Sequence, residues 1–158
     1  MRRSFAASFA SVVLLGSLLI GFRAVVAAQG MDHMGHPLIG TWTLIIEDQE
    51  LNRDLLVQIL EDFYAVIVAA DGAEGLARAD GDRPDLILMD FGMPVMDGWE
   101  ATRRIKAQPA LRDIPIIAIT SHAMVGDEAK ARQAGCDDYM AKPINEDELL
   151  AKIRHFIG

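Results

Sequence analysis

From Trp42 onward, short runs of apolar residues alternate with longer segments whose apolar positions recur every three or four residues. Runs that are apolar on both faces read as strands of a parallel sheet, and the spaced segments read as the helices that cover it. The predicted strands are Thr43–Ile46, Ala65–Val68, Leu86–Met89, Ile114–Ile119 and Tyr139–Ala141. Pro115 is tolerable in the fourth because it lies near the start. After the first strand, Leu51, Leu55, Leu56, Ile59 and Leu60 recur at helical spacing. Asp71 with Glu74, Asp97 with Glu100 and Asn145 with Glu148 are capping pairs that open three further helices. The helix after Asp97 runs towards Gln108, where Pro109 halts it; another spans about 126–134 and stops at Gly135, a left-handed cap. The last helix should bury Leu149, Leu150, Ile153 and Phe156 or Ile157. Five such units with right-handed crossovers predict a doubly wound five-stranded α/β sheet of order 2-1-3-4-5.

In that topology the carboxyl ends of all strands share one edge, and the residues found there are distinctive. The first strand ends at Glu47-Asp48, the third at Asp90, the fourth at Thr120 and the fifth at Lys142-Pro143. Asp90 stops the run Leu86-Ile87-Leu88-Met89 and is followed by the loop Phe91-Gly92-Met93-Pro94. With strands one and three adjacent, Glu47, Asp48 and Asp90 crowd together. Three carboxylates so placed repel and push at least one pKa up unless a cation sits among them. Mg²⁺ fits, since it takes oxygen ligands, one or two carboxylates and substrate phosphate; the Gly92 carbonyl would complete the shell. A carboxylate can act as nucleophile towards phosphorus, with the Lys142 ammonium and Thr120 hydroxyl offsetting charge on the phosphoryl oxygens. Each residue alone has an ordinary explanation, as helix cap, turn or strand residue. Four of five strand ends fitting one mechanism favours the phosphoacceptor reading.

Charge excludes other classes. Residues 1–42 carry Arg2, Arg3 and Arg23 against Asp32, so with a whole-chain charge of −8 the remainder holds −10. A domain that acidic does not suit nucleic acid, which demands clustered Lys and Arg. The one cysteine, Cys136, cannot form an internal disulfide and reads as a small buried hydrophobe. Ser4–Phe22 is free of charge and long enough to span a bilayer, with Arg2 and Arg3 before it and small residues after Arg23, the layout of a signal or anchor segment. Three readings of residues 1–30 follow: export, an N-out anchor, or an upstream start with the natural chain beginning at Met31 or Met34. The third is preferred, because an exported domain would meet no ATP-driven partner. Residues 31–41, including Asp32, His33 and His36, read as a lead-in and 42–158 as the domain.

Over Trp42–Gly158 the sequence resembles the receiver domain of two-component response regulators. The resemblance rests on the acidic pair Glu47-Asp48, on Asp90 with Met93-Pro94 and Asp97-Gly98 behind it, on Thr120, and on Tyr139 three residues before Lys142-Pro143. It implies a flavodoxin-like (βα)5 fold and Mg²⁺-dependent transfer of a phosphoryl group to Asp90 from a histidine kinase or histidine phosphotransfer protein. It implies no enzyme activity beyond self-phosphorylation and self-dephosphorylation. It further implies that Thr120 and Tyr139 switch a protein-binding face made by the fourth helix, fifth strand and fifth helix, and that the peptide before Pro143 is cis. Glu47 stands where many members have Asp, and Ser121 where Ala is usual. Gly92 and His122 occupy positions that tune phosphate lifetime in this family, although His122 reads equally as a solvated loop residue. Because the sequence ends one residue after Ile157, output is expected through protein contacts; the expected location is cytoplasmic, membrane-anchored or exported only if residues 1–28 act as such. The alternatives are an aspartate-nucleophile phosphatase, which would place a second acid where Gly92 stands, and an FMN-binding electron carrier. The latter would need a Ser/Thr/Gly-rich loop where Asp48-Gln49-Glu50 is acidic.

Overall fold

The structure, a computed structural model, describes residues 41–94, 96–121 and 127–158. The expectations for residues 1–40 and for His122 lie outside the described residues. Five parallel strands, β1 (Trp42–Ile46), β2 (Ala65–Ala69), β3 (Leu86–Asp90), β4 (Ile116–Thr120) and β5 (Asp138–Ala141), form one sheet in the order β2-β1-β3-β4-β5. Helices α1 (Glu50–Leu60), α2 (Gly72–Asp82), α3 (Gly98–Ala107), α4 (Asp127–Ala134) and α5 (Glu146–Ile157) connect or follow them. The predicted architecture and strand order are therefore those observed.

The sheet separates two apolar layers, because successive strand residues point to opposite faces. Leu44, Ile46, Ile87, Met89 and Ala118 pack with Ala79 of α2, Ala101 and Ile105 of α3 and Ala131 of α4. Ile45, Leu86, Leu88, Ile117 and Ile119 pack with Leu56 and Leu60 of α1 and Leu149, Leu150 and Ile153 of α5. Fully burying one such side chain is worth roughly 1.5–3 kcal/mol. β3 is buried at all five positions, which is what its uninterrupted apolar run requires. Phe156 and Ile157 are half-buried against the second layer.

Caps fall where the sequence puts them. Asp71 accepts from the N–H groups of Ala73 and Glu74, Asp97 from Glu100 and Asn145 from Glu148, each at 2.8–2.9 Å. Gly135 ends α4 with φ 104°, a left-handed conformation that favours glycine, and a Cβ there would press on the Lys106 side chain, 3.0 Å from its Cγ.

Two expectations need correction. β4 begins at Ile116, not Ile114, because the Ile114 N–H is used in a turn to the Leu111 carbonyl and Pro115 has none to give. The apolar positions of α1 divide into two stripes: Leu56 and Leu60 are fully buried, whereas Leu51 is 85% and Leu55 44% exposed. Residues 51 and 55, four apart, lie on a flank turned away from the sheet, while Ile59, one turn further on, is partly buried against the second layer.

Candidate functional site

The strand ends meet at the carboxyl edge of the sheet. Register pairs Ile46 of β1 with Met89 of β3, so the residues that follow them, Glu47 and Asp90, lie side by side. Backbone bonds knit the edge: Glu47 N–H donates to the Ala69 carbonyl, Phe91 N–H to Ile119, and Lys142 N–H to Thr120, at 2.8–3.1 Å. Gly98 permits the acceptor loop to fold back, since any Cβ there would collide with the Asp90 carbonyl and the Phe91 ring. Phe91 in turn packs on Trp99 with ring centroids 4.1 Å apart.

Glu47 is wholly buried and Asp90 is 3% exposed. The Lys142 ammonium bridges them, 2.8 Å from Glu47 Oε2 and 3.0 Å from Asp90 Oδ2. Asp90 Oδ1 also accepts from the Gly92 N–H at 2.9 Å. A Cβ at Gly92 would stand 3.5 Å from that oxygen, an ordinary contact. Glu47, Asp48 and Asp90 each present a carboxylate oxygen, and these three oxygens all lie within 4.8 Å of one another. One ammonium faces three carboxylates.

The electrostatic consequence is the expected one. Burial and then the neighbouring Asp90 charge push Glu47 above the ordinary carboxylate value of 4.5, although Lys142 and Asn52 pull the other way. Burial is the largest single influence on Lys142 and pulls it down, but the hydrogen bonds and charges of Glu47 and Asp90 together outweigh it and leave it raised. Among the described residues, Asp48 Oδ1 is buried with no hydrogen-bond partner. An orphaned carboxylate oxygen inside a cluster with surplus negative charge fits a divalent cation, which would supply the missing contact and the missing charge.

Of the remaining predicted residues, Thr120 ends β4 half-buried, linked to Lys142 through its carbonyl. Tyr139 lies on β5, half-buried against the layer formed by α2, α3 and α4, and does not belong to the acidic cluster. The Lys142-Pro143 peptide is cis, as expected. Sequence reasoning missed the residues that hold Glu47: the Gln49 N–H and the Asn52 amide each donate to Oε1 at 3.2 Å. It also missed Arg53, whose guanidinium donates to the carbonyls of Glu47 and Asp48. Their only signal was position, one turn into the helix that follows the acidic pair.

A doubly wound sheet with an acidic pocket and a bridging lysine at its carboxyl edge defines a class of signalling domains, and the comparisons with known proteins agree. The response regulator receiver domain family matches residues 43–154, and the chain belongs to that family. It is 42% identical over 116 residues to the polar-differentiation response regulator DivK of Brucella anthropi, covering 73% of this chain and 94% of that protein. Among solved structures, it resembles the receiver domain of a Pseudomonas aeruginosa sensor histidine kinase with a magnesium ion coordinated in its active-site cleft. That likeness has 41% identity and a TM-score of 0.70, over 75% of this chain and 98% of the other. The Vibrio cholerae chemotaxis protein CheY4 matches at 30% identity and TM-score 0.70, over 73% and 98%. The protein is thus a two-component signalling receiver. Among the described residues no helix is long and apolar enough to cross a membrane.

Proposed function

We propose that Asp90 is the phosphoacceptor of a two-component phosphorelay. The observation that carries this reading is the arrangement around Asp90: a buried carboxylate at a strand end, hydrogen-bonded by Gly92 N–H and Lys142, with Glu47 and Asp48 beside it. An oxygen of Asp90 forms a bond to phosphorus as the donor's phosphorus–nitrogen bond breaks, and the electron pair leaves with the histidine ring, which takes a proton. Lys142 pairs with the phosphoryl oxygens, and the Thr120 hydroxyl approaches them. Glu47, Asp48, Asp90 and the Gly92 carbonyl are the groups that would hold Mg²⁺, which when bound neutralises charge on the phosphoryl oxygens. The magnesium in the similar Pseudomonas receiver supports that choice of ion.

The donor is a histidine kinase or phosphotransfer protein. Leu51 and Leu55, exposed on the helix that follows the acidic pair, support docking of an apolar surface near Asp90. Output passes through the face of α4, β5 and α5, with Thr120 and Tyr139 as the moving parts. The site of action is the cytoplasm, where the ATP-driven donor works. Gly92 in place of a second acid disfavours a phosphatase.

The full chain is expected to take up phosphate from acetyl phosphate only with Mg²⁺ present, as an acid-stable, base-labile adduct seen on a phosphate-retarding gel. Asp90→Asn should give no retarded band. Equal labelling of both proteins would overturn the assignment.

A further inference from the structure

The turn that presents Glu47 and Asp48 is gripped from behind by two neighbouring side chains of α1. Asn52 Nδ2 donates to Glu47 Oε1 at 3.2 Å, on the oxygen that also accepts from Gln49 N–H. With Lys142 on Oε2, both oxygens of Glu47 have donors, and the side chain is held from three directions. A glutamate has one more rotatable bond than an aspartate, so its carboxylate stays in place only if such partners hold it. Arg53 acts on the backbone instead: its Nη1 donates to the Glu47 carbonyl at 2.9 Å and to the Asp48 carbonyl at 3.3 Å. Asp48 Oδ1 is buried without a partner, so the placement of that oxygen rests on the backbone that Arg53 anchors. Both Asn52 and Arg53 are half-buried. The guanidinium also puts a positive charge behind the acidic pair without competing for the carboxylate oxygens, so it lowers the cost of gathering three carboxylates and leaves the pocket open.

We infer that Asn52 and Arg53 are positioning residues that set the divalent-cation affinity of the receiver pocket, Asn52 through the Glu47 carboxylate and Arg53 through the peptide carbonyls of Glu47 and Asp48. The inference rests on the reading of that pocket as a metal site. Removing partners that orient metal ligands weakens metal binding by roughly 10–100-fold.

Calorimetric titration of Mg²⁺ into the phosphate-free full chain tests it, with the metal-free melting temperature of each variant recorded alongside. Asn52→Ala and Arg53→Ala should each raise the Mg²⁺ Kd by about tenfold or more. In a Glu47→Ala background, Asn52→Ala should change Kd by less than about twofold, because the group it acts through has gone. Side chains that merely support α1 would lower the metal-free melting temperature and leave Kd unchanged; that result overturns the inference. Should Arg53→Ala fail to fold, Arg53→Met keeps the aliphatic stem but removes the donor that reaches both carbonyls: weakened binding supports the inference and wild-type affinity overturns it. Wild-type protein with no saturable Mg²⁺ binding at millimolar concentrations would instead remove the metal-site reading itself. Wild type that binds while the Asn52 and Arg53 variants bind equally well removes this inference alone.

Discussion

The two ends of the sheet each hold a lysine hydrogen-bonded to acidic side chains, and they serve opposite purposes. At the amino edge, Lys106 donates to Asp137 Oδ2 at 2.8 Å and to the carbonyls of Ile114 and Arg112 at 2.8 and 3.1 Å, while Ile116 N–H donates to the same Asp137 oxygen at 2.8 Å. One cation meets one anion, and the ammonium's three donors all have acceptors. That cluster ties the end of α3 to the starts of β4 and β5. At the carboxyl edge, Lys142 meets Glu47 and Asp90, with Asp48 close by and one of its oxygens unpartnered. The residue types are the same; the difference is charge balance. A satisfied cluster fastens the fold, whereas one left short of positive charge and of one hydrogen bond is ready for a ligand.

Replacing the two lysines is the strongest way to break this contrast. Lys142→Ala should cut phosphoryl uptake from acetyl phosphate by about 10²-fold or more, since a charge aimed at the transferring group is lost. Lys106→Ala should leave uptake intact but destabilise the chain by roughly 1–2 kcal/mol, because it removes the hydrogen bonds to two carbonyls and to the partly exposed Asp137 carboxylate. Denaturant melts with and without Mg²⁺ should show the Lys106 loss unchanged by the metal; a metal-dependent loss would dissolve the distinction.

Mg²⁺ itself should act at one end only. At tenfold over its Kd it should stabilise the wild-type chain by about 1.4 kcal/mol. No shift in melting temperature at millimolar Mg²⁺ would count against an acidic pocket short of cations.

Glu47→Gln sharpens the point by direction. The Glu47 pKa is raised above 4.5 in the fold, so its stabilising contribution is present below pH 4.5 and is lost as pH rises through the folded value. The neutral isostere should therefore raise the metal-free melting temperature at pH 7 and shrink the further gain from Mg²⁺. A lower metal-free melting temperature would mean that the bond to Lys142 outweighs burial and repulsion.

The smallest effect concerns Cys136, beside the satisfied cluster. It is 6% exposed, and burial pushes its thiol up to about 12. Its contribution is present below pH 9.0 and is lost as pH rises through about 12. The native chain at pH 8 should therefore react negligibly with a chromogenic disulfide reagent until it is unfolded; prompt labelling would show an open amino edge.

The parts legible in the sequence share one property: they depend on local pattern or on topology. Apolar runs and capping pairs are local, and once the order 2-1-3-4-5 is accepted, Glu47, Asp48, Asp90 and Lys142 must meet at one edge. What stayed hidden depends on side-chain reach across the fold. Leu51 and Leu55 have the spacing of a buried face, but only packing against the sheet shows that Leu56 and Leu60 take that place. Ile114 looks like strand until its N–H is found in a turn. Phe91 on Trp99 gave no signal at all.

The sequence by itself determined the alternation of strands and helices, the shared edge of the strand ends and the excess of acid there, because periodicity and right-handed crossovers leave little freedom. Only the tertiary structure decided how that acid is held. Lys142 reaches both Glu47 and Asp90 across 95 and 52 residues of chain, Asn52 and Arg53 turn back onto the acidic pair, and one oxygen of Asp48 is left without a partner. Those are matters of ångström-scale side-chain geometry, and no spacing along the chain encodes them.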